Sequence, residues 1–162
     1  MKYFFFIAFF ICFLGHSQDL AELRSQYPKA DENAEITKKL NGELSNVVQT
    51  DNPILVAYKG AILTLMAKEA KKIKDKMSFF KEGVSFLESA VKADPLNIEI
   101  RTIRLSVQES APRFMGYDKS EDEDKKFILD NYIKSSSKVI REFVRNFVLN
   151  SDSFDKSEKE TF

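Results

Sequence analysis

Apolar residues recur three and four positions apart in almost every window after residue 18, and glycine and proline are scarce there. This spacing matches the 3.6-residue period of an α-helix, whereas a half-buried strand alternates every second residue. The pattern therefore predicts an all-α protein with about six helices in total.

The first two helices are predicted from their start and stop signals. A short helix is expected from Asp19 to Gln26, ending ahead of Pro28, and Asp31 is expected to cap the next one. Five apolar residues of that second helix fall on one face, which we expect to be buried: Ile36, Leu40, Leu44, Val47 and Val48.

The third helix begins with Asn52 and Pro53, a capping side chain followed by a residue whose missing N–H costs nothing at the first helical position. It is expected to run to about Lys72. Residues 54–67 are apolar on nearly all sides, which predicts a helix enclosed by its neighbours, and Gly60 suits a close helix crossing. The basic stretch 68–76 is interpreted as a solvated helix end, with docking of an acidic partner as the alternative.

The fourth helix has the clearest periodicity and ends at Asp94 before Pro95. Its apolar face carries Phe79, Phe80, Gly83, Val84, Leu87, Ala90 and Val91. An aromatic cofactor box is the alternative interpretation, but aromatic stripes at helical spacing are usually core.

The segment Leu96 to Ser110 is ambiguous, because part of it alternates as a strand does. We favour a helix, since Asn97 can cap it and the sequence offers no partner strand. Leu96 would begin its apolar stripe. Arg101, Arg104 and Gln108 share the opposite face; we expect them to be solvent-exposed, the alternative being bidentate recognition of a carboxylate ligand.

Pro112 ends this helix, and an apolar-rich loop follows. Phe114 and Tyr117 either pack back on the core or form an exposed aromatic binding feature, next to Arg113. Residues 118–124 hint at a calcium loop, but Glu123 replaces the required glycine, and calcium is rejected. The acidic residues there suit instead the start of a helix that runs to about Lys134.

Residues 135–137 are three serines, which form either a turn or a kink before a last amphipathic helix. Its apolar face carries Val139, Ile140, Phe143, Val144, Phe147 and Val148. Residues 150–162 are mostly Ser, Asp, Lys and Glu, and this polar composition predicts a disordered tail. The folded domain is therefore expected to cover residues 18–149.

The amino terminus has the order of a secretory signal peptide, with Lys2, an apolar run from Tyr3 to Leu14, and small residues before Gln18. Cleavage is predicted between Ser17 and Gln18, which gives a signal peptide of residues 1–17 and a periplasmic or secreted protein. An uncleaved anchor is disfavoured, since twelve apolar residues cover about 18 Å as a helix, against about 30 Å of hydrocarbon. No stable membrane insertion is expected after cleavage.

Cleavage removes Cys12 and His16, the chain's only cysteine and histidine. The mature chain then lacks the commonest general base, the thiol nucleophile and the ordinary zinc ligands. It also lacks a glycine-rich phosphate loop, so we expect no enzyme, no cofactor and no metal. With 24 basic and 25 acidic residues left, no basic excess favours nucleic acid.

Gly83, Leu87, Ala90 and Pro95 have the spacing of the second helix of a tetratricopeptide repeat, which the segment from Pro53 to Pro95 resembles. This resemblance implies a right-handed array of stacked antiparallel helix pairs that binds a protein partner. The chain also resembles small exported bacterial proteins of unknown function. An interaction module is therefore the leading hypothesis, with Arg101, Arg104, Arg113, Phe114 and Tyr117 as partner-binding candidates. The alternative is a carrier with a small apolar ligand in the helical core.

Overall fold

The computed structural model describes residues 20–162, so the predicted signal peptide lies outside the described residues. This part of the chain contains α-helices, one short 3₁₀-helix and no strand, and the all-α prediction is confirmed. The α-helices are α1 (residues 20–30), α2 (Ala34–Glu43), α3 (Pro53–Glu69), α4 (Ile73–Ala93), α5 (Ile98–Ser110), α6 (Glu121–Asn131), α7 (Lys138–Asn150) and α8 (Lys156–Lys159). The 3₁₀-helix is Arg113–Met115.

Helix α3 lies in the core, as its apolar sequence predicts. The Asn52 side chain accepts from the Ile54 N–H at 3.2 Å, and Pro53 occupies the first turn. Twelve of the 17 residues of α3 are buried, because α2, α4 and α5 all pack against it. The helix ends at Glu69 and not near Lys72.

Helices α3 and α4 form the tightest pair, since two glycines face each other where they cross. A Cβ atom at position 60 would lie 2.7 Å from the Gly83 carbonyl oxygen and 2.8 Å from the Leu87 backbone nitrogen. A Cβ at position 83 would lie 2.6 Å from the Gly60 carbonyl oxygen. The two backbones are therefore in direct contact, which confirms the expected close crossing at Gly60.

Helix α5 is a helix and not a strand, and Asn97 caps it by accepting from the Glu99 and Ile100 N–H groups at 3.1 and 3.2 Å. It contacts α3, α4, α6 and α7, so it is buried on every side. Leu96 precedes the helix and is 79% exposed, so its predicted place in the buried stripe is wrong.

Helix α1 lies across α3 and α5. Its Tyr27 ring packs edge-on against Tyr58 of α3, with 5.6 Å between the ring centroids, and the Tyr27 hydroxyl bonds to the Ser106 hydroxyl of α5 at 2.7 Å. On the neighbouring side, Tyr58 packs edge-on against Phe143 of α7. Aromatic contacts therefore join α1, α3 and α7 around one buried tyrosine.

Two boundaries near the amino terminus differ from the sequence prediction. Helix α1 continues past Pro28, which is exposed, to residue 30; the proline removes a single backbone hydrogen bond from the helix. The cap of α2 is Asn33 and not Asp31, since the Asn33 side chain accepts from the Glu35 and Ile36 N–H groups. Val48 lies beyond α2 and is 52% exposed, so the predicted buried face ends earlier.

The carboxyl-terminal third also differs from the prediction. Helix α6 ends at Asn131 rather than Lys134. Residues 132–134 form the turn, and the three serines follow it and lead into α7, which Ser137 caps. The prediction of a disordered tail from residue 150 is wrong: Phe154 is 4% exposed, and Asp155 and Glu158 form a capping box at α8. Phe154 packs on Phe147, and Phe162 packs on Tyr132. The average polarity of residues 150–162 does not reveal two such aromatic contacts, which is why the sequence predicted disorder.

The glycine contact predicts opposite effects for two glycine-to-alanine substitutions. Gly60→Ala should lower the free energy of unfolding by about 1–3 kcal/mol, because backbone atoms must move to admit the methyl group. Gly42→Ala, in α2 where nothing lies within 4 Å of the added Cβ, should instead raise it by about 0.5–1 kcal/mol through helix propensity. Urea unfolding followed by circular dichroism measures both, and equal effects at the two positions would contradict the close crossing.

Candidate functional site

Two of the predicted partner-binding residues, Arg101 and Arg104, lie inside the protein. Arg101 is 8% and Arg104 is 4% exposed, and Gln108 on the same face is also buried. The expectation that this face is solvent-exposed is wrong. Helix α6 covers this face, and its Asp124 carboxylate pairs with both guanidinium groups.

Both arginines bind one buried carboxylate. Arg104 holds Asp124 through two hydrogen bonds, from Nε to Oδ2 at 2.6 Å and from Nη2 to Oδ1 at 2.7 Å. Arg101 donates from Nη1 to Asp124 Oδ1 at 2.8 Å and to Glu123 Oε1 at 2.6 Å. The bidentate recognition considered for a ligand is thus made within the chain, by Asp124, which is fully buried.

The same network reaches the loop after α5. Arg104 Nη1 donates to Glu88 Oε2 at 3.2 Å, and the Tyr117 hydroxyl donates to Glu88 Oε1 at 2.7 Å. Burial and the adjacent Glu88 carboxylate raise the pKa of Tyr117 above its ordinary range. Burial alone would lower the pKa of Arg104, but the hydrogen bond and charge of Asp124 outweigh it and hold that pKa above its usual value.

A second buried carboxylate, Glu99, is held from the other side of α5. Arg24 of α1 donates to it from Nε at 2.8 Å and from Nη2 at 2.9 Å, and the Tyr58 hydroxyl donates at 2.8 Å. Burial, followed by the charge of Glu99, raises the pKa of Tyr58 above its ordinary range. Glu99 is 1% exposed, and its hydrogen bonds join α1, α3 and α5.

The loop residues are placed differently from the two buried arginines. Arg113 is exposed and pairs with Asp118 at 3.0 Å, while Tyr117 is partly buried and packs edge-on against Phe80 with 6.1 Å between ring centroids. Phe114 is 85% exposed, so it does not pack back on the core. Gly116 adopts the left-handed conformation (φ 64°) that ends the 3₁₀-helix and turns the chain after Phe114.

Phe114 stands at the edge of an open groove, which we call the apolar groove. It has a volume of about 480 Å³ and lies between the end of α3, the start of α4, the end of α5 and the loop. Its apolar lining includes Leu65, Ala67, Ile73, Met77, Phe80, Val107, Ala111, Pro112, Phe114 and Met115. Ile73, which also lines the groove, is 79% exposed, so two large apolar side chains of the groove stand in water.

Lysines border the apolar groove. Lys68 and Lys76 line it, and Lys71, Lys72 and Lys74 lie between them in sequence. Lys68 pairs with Asp31, whereas the salt bridges found among residues 20–162 involve none of the other four. This side of the molecule therefore combines apolar surface with unneutralised positive charge.

A second groove of about 400 Å³ runs between α1 and α7 over the floor of α3 and α5. Its lining is more polar and includes Asp31, Glu32, Thr102, Glu109, Asn146 and Asn150. The Glu109 carboxylate in this groove accepts from the Ser153 N–H at 3.0 Å and from the Ser151 hydroxyl. The Glu109 carboxylate is therefore already bound by the chain's own carboxyl-terminal segment.

The described residues contain no group of three or more His, Cys, Asp or Glu side chains arranged to hold a metal ion. Within residues 20–162, none of the helices combines the length and apolar character needed to cross a lipid bilayer. Comparison with known proteins gave no match for this chain to a protein-family model, a curated protein or a solved structure.

The buried network makes one stability prediction. Asp124→Asn should lower the free energy of unfolding by about 3–5 kcal/mol, because it leaves two buried guanidinium groups without their shared counter-charge. Asp130→Asn is the matched control on the same helix: its exposed pair with Lys126 should contribute no more than about 0.5 kcal/mol. Denaturant unfolding measures both, and a small effect at Asp124 would mean that the network contributes little.

The buried tyrosines predict a loss of stability at alkaline pH. Burial raises the pKa of Tyr27 to about 12, although its bond with Ser106 acts in the opposite direction, and the pKa values of Tyr58 and Tyr117 are raised as well. Unfolded tyrosines ionise near pH 10, so above that pH the folded state holds more protons than the unfolded state. The stability contributed by these groups is complete below about pH 10 and should fall as pH rises toward 12. Urea unfolding at increasing pH measures this loss, and Tyr27→Phe should make it less steep.

Proposed function

We propose that this chain is an exported, non-catalytic binding protein that docks a partner protein at the apolar groove. The observation that carries the proposal is Phe114, a large aromatic side chain left 85% exposed beside a groove lined by apolar groups. Contiguous exposed apolar surface on a small protein is typical of an interaction site. Exposed aromatic residues of this kind frequently become the anchors of protein interfaces.

The surroundings of Phe114 support a preformed site. The loop that carries it is held by the Arg113–Asp118 ion pair, by Gly116 and by the Tyr117–Glu88 hydrogen bond. These contacts connect the loop to α4 and to its own turn, while the Phe114 ring faces water. A preformed anchor loses less conformational entropy on binding, which favours affinity.

The non-catalytic part of the proposal is supported by how the buried charges are used. Asp124 and Glu99, the two fully buried carboxylates, are each bound by arginine and serve the packing of α5. Export is proposed from the amino-terminal sequence pattern, and the close α3–α4 pair supports a degenerate tetratricopeptide-like ancestry.

A carrier of a small apolar ligand is the second candidate, and the volume of the apolar groove favours it. A space of about 480 Å³ is within the range of small-molecule sites. Such sites usually enclose most of their ligand, whereas this groove is open to water and two of its lining side chains, Phe114 and Ile73, are mostly exposed. The exposed edges therefore favour a protein partner.

Site-specific crosslinking in the native cells tests the proposal. A photoreactive phenylalanine analogue at position 114 should give a light-dependent adduct with a discrete partner protein. The same analogue at position 133 is the matched control, because Ile133 is 81% exposed but lies outside the groove. Adducts at 133 alone would contradict the assigned surface, and a small molecule that co-purifies and is crosslinked at 114 would favour the carrier.

A further inference from the structure

The charge around the apolar groove indicates what kind of partner it accepts. We infer that the docking segment is an acidic amphipathic helix, which places apolar side chains in the groove and carboxylates against the neighbouring lysines. This inference rests on the proposed binding function and adds the chemistry of the partner.

The first step is the local excess of positive charge. Residues 68–76 contain five lysines against Glu69 and Asp75, in a chain whose formal net charge is zero. Helix α4 begins at Ile73. Lys72 occupies its N-cap position, and Lys74 and Lys76 lie in its first turn. Like charges so close in sequence repel one another, and a negatively charged partner relieves that repulsion.

The second step is the amino terminus of α4, which lies at the same edge of the groove. Its first residues carry no side-chain cap, since Lys72 occupies the cap position and cannot accept a hydrogen bond. The unsatisfied N–H groups and the helix dipole favour a carboxylate there, together with the lysines. Two independent sources of positive potential therefore meet beside Ile73.

The third step distinguishes a protein segment from a small anionic amphiphile. Phe114 and Ile73 line the groove but are 85% and 79% exposed, so a small molecule confined to the groove would leave the outer part of each side chain in water. A helix laid along the groove covers both edges and inserts its apolar face between them. The open side of the groove gives such a helix room for its polar face.

Selection from a displayed library of random peptides on the purified chain tests this inference. Enriched peptides should carry apolar residues at i, i+3, i+4 and i+7 with aspartate or glutamate beside them. Synthetic copies, measured by fluorescence anisotropy at low salt, should bind at least about 30-fold more weakly to Phe114→Ser, the effect of losing an interface anchor. Phe114 is exposed, so this variant should keep the wild-type melting temperature.

Charge-reversal variants measure the electrostatic contribution to binding of the selected peptides. Lys72→Glu/Lys76→Glu should weaken binding of the selected peptides by about 10-fold at low salt and less at high salt. Lys92→Glu/Lys138→Glu makes the same change of net charge away from the groove, at two exposed lysines, and should leave binding within about twofold.

The outcomes separate the inference from the proposed function. Neutral or basic peptides that still require Phe114 would overturn the acidic partner and leave the binding function standing. Peptides that bind equally to Phe114→Ser would overturn both. Displacement of the selected peptides by dodecanoate at micromolar concentration, with no loss in the lysine variants, would favour a small apolar ligand and overturn the acidic helix.

Discussion

The helices packed around α5 are constrained by one requirement, that the buried charged side chains of α5 be paired inside the protein. Glu99, Arg101 and Arg104 are all buried, and each would cost several kcal/mol without a partner. Their partners come from different elements: Arg24 from α1, Asp124 from α6 and Glu88 from α4. Each ion pair restricts where one neighbouring helix can lie, because its hydrogen bonds require short distances and defined directions. Helix α5 therefore specifies the positions of its neighbours in addition to packing against them.

Features that depend on local sequence could be predicted, and features that depend on distant pairing could not. The caps Asn52 and Asn97 are local signals that act within three residues, and the structure has both. The polar face of α5 has the same sequence pattern whether it meets water or a buried carboxylate. Only the position of Asp124, twenty residues beyond Arg104, distinguishes the two, and that position is set by tertiary packing. The predicted exposed arginine face was wrong for this reason.

The loop after α5 and the carboxyl-terminal segment also depend on tertiary contacts that local sequence does not reveal. The sequence left open whether Phe114 packs inward, since a loop aromatic can do either, and the structure turns it outward while Tyr117 packs on Phe80. The polar composition of residues 150–162 hid two anchors, because burial of Phe154 and Phe162 outweighs the polarity of the residues between them. The groove could not have been predicted, as its lining comes from three helices and a loop. Its lysines were visible in the sequence as the stretch 68–76.

The contact between α3 and α4 has a consequence for tracing the history of this chain. Neither Gly60 nor Gly83 can gain a side chain unless two backbones separate, so substitution at either position is expected to be less readily tolerated than at the residues around it. Two small residues 23 positions apart, the first on a helix opened by Asn-Pro and the second on a helix closed by Asp-Pro, form a compact signature. Distant relatives whose other residues have diverged should still carry it, and it can identify them where overall similarity has been lost.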